Sequence, residues 1–265
     1  MNFSRVLAIV LRQSYLVRGS ISRVLPLVSW VTIDMVLWGF TTRYLNSFTQ
    51  FNFAAVFLGA MLLWDFLTRV MHGVTMAFLE DVWSRNFLNI FATPMSIAEY
   101  LAGLVLSSIA TSSLALVVML LVATLGFGLS FFQYGAILIP FFLVLFLCGI
   151  ALGIVGTAIV LRLGPAAEWF IWPVPAMISP FVGVLYPLAT LPTWMRALSY
   201  ILPPSYGFEA MRAVVAGGRP SMQGLVFALI LSFLYILLAC WFFQRTYRVA
   251  VNTGLIPRYS AESVS

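Results

Sequence analysis

The chain has 265 residues, of which 62% are hydrophobic and 8% charged, and its mean hydropathy is +1.04. Soluble domains carry about 25% charged residues, so this composition excludes a water-soluble globule and predicts an integral membrane protein. The net charge of +6 rests on 14 basic residues, all arginine, placed at the ends of apolar runs, where they suit lipid headgroups and not nucleic acid.

At the start, Phe3, Val6, Leu7, Val10, Leu11 and Val17 follow helical spacing, while Arg5, Arg12 and Gln13 fall off that stripe. The pattern predicts an amphipathic helix lying on the membrane within residues 1–22. A cytoplasmic extension of the first span fits the same residues. No cleavable leader is expected, because Arg5, Arg12, Arg18 and Arg23 are spread over a long preamble and the first apolar run continues as a full span.

Crossing the hydrocarbon takes about 20 mostly apolar residues. Six runs qualify, near 24–42, 53–78, 98–125, 135–161, 168–188 and 222–243. In lipid each segment must satisfy its own backbone, so the runs are expected to be helices; barrel strands would alternate. The expected fold is an all-α integral membrane domain over residues 1–265, with six transmembrane helices. With a cytoplasmic N-terminus, Arg5, Arg12, Arg18, Arg23, Arg85, Arg162, Arg245, Arg248 and Arg258 lie inside. Arg43, Arg196, Arg212 and Arg219 lie outside, and Arg69 lies within a span. The bias predicts that both termini are cytoplasmic.

The first two spans carry Asp34, Trp38, Asp65, Arg69 and His72. Asp65 and Arg69 are four apart and share a helix face, and His72 follows one turn later. A charge in mid-membrane is costly unless paired or wetted. Three readings fit: a polar translocation surface, a structural Asp65–Arg69 or Asp34–Arg69 pair, or a proton relay through Asp34, Asp65 and His72. Trp38 and Trp64 lie in the same spans and are candidates to line a path for an amphipathic substrate.

Residues 80–95 connect spans two and three on the cytoplasmic side. Asp81 is expected near the start of a short helix, where negative charge suits the dipole. Val82, Phe87, Leu88 and Phe91 offer an apolar face; Arg85, Asn86 and Asn89 offer polar contacts. Thr93-Pro94 is expected to end the helix. Such a helix is built to sit in a partner's groove, although an ordinary interfacial connector has the same composition. In span four, Gly149 and Gly153 form a small-xxx-small pair that favours close packing. Cys148 and Cys240 lie in apolar runs and are read as buried apolar residues.

The fifth run is interrupted by Pro173, Pro175, Pro180 and Pro187, which predicts kinks. Two short apolar helices broken by Pro203-Pro204 are expected after it. They are too short to span and too apolar for water, so residues 189–220 are expected to be re-entrant on the outer side.

With no lysine, a Walker A loop is excluded, and HExxH, paired CxxC and G-x-S-x-G are absent. The chain is therefore not expected to be an enzyme, nor to hold a cofactor or metal. Taken in order, the features resemble the membrane subunit of type-2 ABC exporters, permeases for drugs, polysaccharides and nodulation factors. The resemblance rests on the amphipathic start and six spans. It includes Glu80, Arg85-Asn86, Thr93-Pro94 and Glu99 between spans two and three. It extends to Gly183-Val184-Leu185-Tyr186-Pro187, Leu191-Pro192-Thr193-Trp194, Pro203-Pro204 and Glu209-Ala210-Met211-Arg212.

That resemblance implies two permease chains, expected as a homodimer, in a bacterial plasma membrane. Two copies of a separate nucleotide-binding ATPase would hold ATP and Mg. Contacts are implied with membrane lipids and none with nucleic acid. The ATPase would be met by Glu80, Asp81, Trp83, Arg85, Phe87, Leu88, Phe91 and Pro94. An extracytoplasmic gate would include Trp194, Glu209 and Arg212. An ion-coupled secondary transporter and a membrane-embedded lipid-modifying enzyme are the competing expectations; the first usually shows internal repeats, the second converging catalytic groups.

Overall fold

A computed structural model describes residues 1–48, 54–84, 86, 89–90, 92–128 and 138–253. Among them every regular element is helical. Helix α1 (Phe3–Arg18) is capped by Asn2, whose side chain accepts the Ser4 N–H at 3.1 Å. Arg18 in its last turn suits the helix dipole. Helix α2 (Ile21–Asn46) returns the hydroxyls of Ser29, Thr32 and Thr41 to carbonyls four residues earlier. Those groups are thereby satisfied without water.

A π-helical turn, Ala54–Leu58, leads into α3 (Gly59–Trp83). Helix α4 (Ile97–Phe127) begins with a capping box: Ser96 Oγ accepts the Glu99 N–H at 3.3 Å and Glu99 Oε2 accepts the Ser96 N–H at 3.0 Å. Helix α5 (Ile139–Leu163) is followed by a 3-10 turn, Gly164–Ala167, and one helical turn, Glu168–Ile171. Then come α6 (Pro173–Val182), α7 (Thr193–Ser199), α8 (Pro203–Val215) and α9 (Met222–Asn252).

Among the described residues three helices, α4, α5 and α9, are long and apolar enough to cross a membrane. Helices α2 and α3 are also long, at 26 and 25 residues, and Asp65, Arg69 and His72 lower the hydropathy of α3. The fifth expected span does not form one helix over 168–188. Helical structure stops at Val182, and Gly183 takes φ 65°, the left-handed conformation that ends a helix. The outer segment does form two short helices that meet at Pro203-Pro204, with both prolines in the first turn of α8, where a missing N–H costs nothing.

The core sits around α3, which packs against α4 on one side and α5 on the other, while α9 covers the far side of α5. Glycines set the α3–α5 approach. A Cβ on Gly149 would lie 2.8 Å from Val70 Cβ, and one on Gly153 2.9 Å from Val74 Cβ. Gly156 adds a third step, because Thr75 Oγ1 sits where its Cβ would point and donates to the Gly153 carbonyl at 3.0 Å. The helices approach closely enough for an interhelical hydrogen bond, and dispersion replaces hydrophobic drive. Outward, Leu114, Val117, Leu121 and Leu125 of α4 and Val226, Ile230, Phe233 and Leu237 of α9 are exposed apolar ridges. In a bilayer such ridges are hydrocarbon surface.

Candidate functional site: a polar cavity and an ion-pair junction

A cavity of about 690 Å³ opens between α2, α3, α4 and Trp172. Asp34 comes from α2, Asp65, Arg69 and His72 from α3, and Thr111 and Ser112 from α4. Positions 65, 69 and 72 share a helix face, so the α3 backbone alone aims these side chains the same way. The sequence-predicted polar residues are thus brought together, and only Trp38 is left out. Trp38 packs on Phe57 with centroids 5.3 Å apart, and Trp64 meets Phe208 at 6.4 Å. The cavity's indoles are instead Trp30 and Trp172. Nothing in a one-dimensional pattern distinguishes these four tryptophans.

Arg69 Nε donates to Asp65 Oδ2 at 2.8 Å, and the two side chains are 17% and 19% exposed. The pair that forms is Asp65–Arg69, not Asp34–Arg69. Asp34 makes no hydrogen bond or ion pair among the described residues. The His72 ring lies 4.5 Å from the Trp172 ring, and its Nε2 is buried with no partner. Among the described residues no three His, Cys, Asp or Glu side chains converge as a metal site.

At the other end of α3 the charges are fully engaged. Arg12 Nη1 donates to Asp81 Oδ2 at 2.8 Å, and Nη2 donates to Oδ1. The Tyr100 hydroxyl donates to Asp81 Oδ2 at 2.6 Å. Asp81 is 1% exposed. The hydrogen bonds that Arg12 donates to Asp81 raise its guanidinium above its ordinary range, against the opposing effect of burial. Nearby, Glu99 Oε1 accepts the backbone N–H of Asn2 at 2.6 Å, and Arg5 Nη1 lies 3.5 Å from Oε2. A Cβ on Gly103 would fall 2.5 Å from Ile9 Cβ, so α1 lies directly on α4. Together these contacts lash α1 to the C-terminal end of α3 and the N-terminal end of α4.

Two sequence expectations are changed or extended here. The face of α1 turned to the protein is Val6, Ile9 and Gln13, while Phe3, Leu7 and Leu11 remain exposed. Asp81 does not start a new helix; α3 continues through Trp83, so Glu80, Asp81 and Trp83 occupy its last turn. Asn89 and Ile90 are helical, and the chain leaves helical geometry by 92–94, at Thr93-Pro94. Arg85, Phe87, Leu88 and Phe91 lie outside the described residues. Pro94 and Trp83 are exposed. The Arg12–Asp81–Tyr100 cluster has no local sequence signal, since its members are 69 and 19 positions apart.

After α6, Glu209 Oε1 accepts the Leu188 N–H at 2.9 Å and Arg212 Nη2 at 2.8 Å. Arg196 donates to the carbonyls of Leu188, Ala189 and Leu191 at 3.2, 2.6 and 3.1 Å. These two groups clamp the turn between α6 and α7. Sequence reasoning missed Arg196; its signal was a lone cation beside a proline-bracketed turn. Trp194 stands apart from the clamp, 62% exposed, with its ring 6.3 Å from Phe181.

An all-helical chain with several apolar spans around a charged cavity defines a multi-pass membrane protein. The chain belongs to the ABC-2 family of transporter proteins: the family model matches residues 29–241, which is most of the chain from within α2 to within α9. Membrane domains of this family carry no nucleotide-binding motif. No curated protein gave a match.

Proposed function

We propose that the chain is the membrane-spanning subunit of an ATP-driven exporter, paired with a second permease chain and resting on two copies of a separate ATPase. The observation that carries this reading is the inner junction. Arg12, Asp81, Tyr100, Glu99 and Asn2 join three helix ends beside the 80–95 connector. A force applied there by an ATPase is delivered to α3 and α4 as a unit, since buried charge pairs resist separation. Helix α3 carries the force to Asp65, Arg69 and His72, which face the cavity. Conformational work at the connector and rearrangement at the cavity are thus mechanically linked through one helix.

In this reading α2, α3 and the broken 164–182 segment join α4, α5 and α9 as six crossings of a bacterial plasma membrane, with both termini cytoplasmic. The exposed Phe3, Leu7 and Leu11 stripe of α1 meets lipid. Residues 189–220 lie at the outer face, where Trp194, Glu209 and Arg212 gate exit. ATP and Mg belong to the partner.

Two experiments test it. Phe87→Asp with Leu88→Asp is expected to release the ATPase or uncouple hydrolysis from transport while insertion stays normal. A folded double mutant that binds its ATPase and transports at the wild-type rate overturns the coupling role. Single cysteines at Asn46 and Ser221 are expected to label from outside, and one at Ser84 is not. Outside labelling of Ser84 reverses the topology. An ion-coupled transporter or a lipid-modifying enzyme would purify without a stoichiometric ATPase.

A further inference from the structure

We infer that the cavity between α2, α3 and α4 binds an amphipathic organic cation of drug size. This rests on the reading of the cavity as facing the transported substrate. The volume of about 690 Å³ is that of a small-molecule site. Its walls hold two carboxylates and one guanidinium. Asp65 is already engaged by Arg69, so the acid in excess is Asp34, which has no ion pair or hydrogen bond among the described residues. A carboxylate in an apolar helix bundle is costly to leave alone, and a cation that docks beside it removes that cost.

The aromatic walls specify the cation further. Trp30 lies one helical turn before Asp34 and lines the same cavity, and Trp172 closes it from the segment after α5. Indole faces attract cations and reject their hydration shells. The His72 ring, 4.5 Å away, braces Trp172. A hard metal ion is a poor fit, because it needs about six oxygen ligands. The Thr68 and Thr111 hydroxyls are already turned to carbonyls of their own helices, at 2.9 and 3.2 Å. The rest of the wall includes Met76 and Ala115, which suit hydrocarbon around a shielded charge. An anion would meet Asp34 unpaired and find Arg69 partly used.

The test compares tetraphenylphosphonium with tetraphenylborate, which match in size and shape and differ in sign. Binding to the purified full-length chain in detergent is read by equilibrium dialysis and tryptophan fluorescence. Tetraphenylphosphonium is expected to bind saturably, and tetraphenylborate only in proportion to its detergent partitioning. Asp34→Asn is expected to weaken the cation by about tenfold or more, the scale of one partly desolvated charge contact. Asp34→Glu is expected to keep binding within about threefold, and Trp172→Ala to weaken it by about three- to tenfold. If Asp34→Asn does not elute as a folded species, Trp172→Ala against Trp172→Phe decides. Absence of saturable cation binding, equal binding of the borate, or unchanged affinity in the folded Asp34→Asn and Trp172→Ala variants overturns the inference. Co-purification of the ATPase is scored on the same preparation. An ATPase that co-purifies without cation binding sinks this inference alone, and cation binding without an ATPase sinks the exporter reading alone.

Discussion

At the C-terminal end of α3 Asp81 collects Arg12 from α1 and Tyr100 from α4, whereas in the cavity Asp65 takes Arg69 from its own helix and leaves Asp34 with no ion pair or hydrogen bond among the described residues. Both acids sit on α3, about four turns apart. The Arg12–Asp81–Tyr100 cluster is long-range, and both oxygens of its buried Asp81 carboxylate are engaged. The cavity group is local and incomplete, with His72 Nε2 unmatched as well. Membrane helices tolerate charges only where something offsets their desolvation. The Asp81 cluster is offset by the fold itself, which makes it structure. In the cavity only Asp65 is offset in this way, and Asp34 is the acid on which the ligand proposal rests.

The largest effect that separates the two regions is expected at Asp81. Asp81→Ala strands the Arg12 guanidinium and the Tyr100 hydroxyl at once. It is expected to lower stability in detergent by about 3–5 kcal/mol, read from thermal unfolding or loss of monodisperse protein. A shift of less than about 1 kcal/mol would show that the junction is not the fastening described. Next comes the helix that joins the regions. Gly153→Ala places a methyl 2.9 Å from Val74 Cβ and 3.0 Å from the Met71 carbonyl. It is expected to cost about 1–3 kcal/mol, measured the same way, and neutrality would mean that α3 and α5 give way easily.

A double-mutant cycle on Asp65→Ala and Arg69→Met sharpens the contrast further. The coupling is expected at about 1–3 kcal/mol, with the double variant less damaged than either single one; additive losses would show that the pair does not act as a unit. The smallest stability effect belongs to Asp34. Asp34→Asn removes an unpaired charge, so stability is expected to hold or rise, by less than about 1 kcal/mol. A large loss there would place Asp34 with the structural charges and erase the distinction.

Much of the fold was legible because hydrocarbon imposes a simple demand. Long apolar runs must be helices, and α4, α5 and α9 follow their runs closely. Local chemistry was legible too: Pro203-Pro204 opens α8, and the chain is out of helical geometry at Thr93-Pro94. The Asp65–Arg69 pair was readable because both partners lie on one helix face. In the fifth run the prolines showed that it is interrupted, but hydropathy did not register that a left-handed Gly183 stops its helix at Val182. In helix α1 the spacing showed an amphipathic helix but not which side meets the protein, where Gln13 is buried beside Val6 and Ile9.

The sequence by itself determined that the chain is a membrane protein, that it is helical, which residues carry charge within it, and that it lacks the lysine of a nucleotide-binding loop. Composition and period-3.6 spacing carry those facts, because each depends on neighbours a few residues apart. Only the tertiary structure decided which charges meet. Asp81 finds Arg12 across 69 positions, Glu99 finds Asn2 across 97, and Trp172 rather than Trp38 closes the cavity. Those pairings depend on helix rotation and the close α3–α5 approach that glycines permit. Neither quantity is written in any short stretch of the chain.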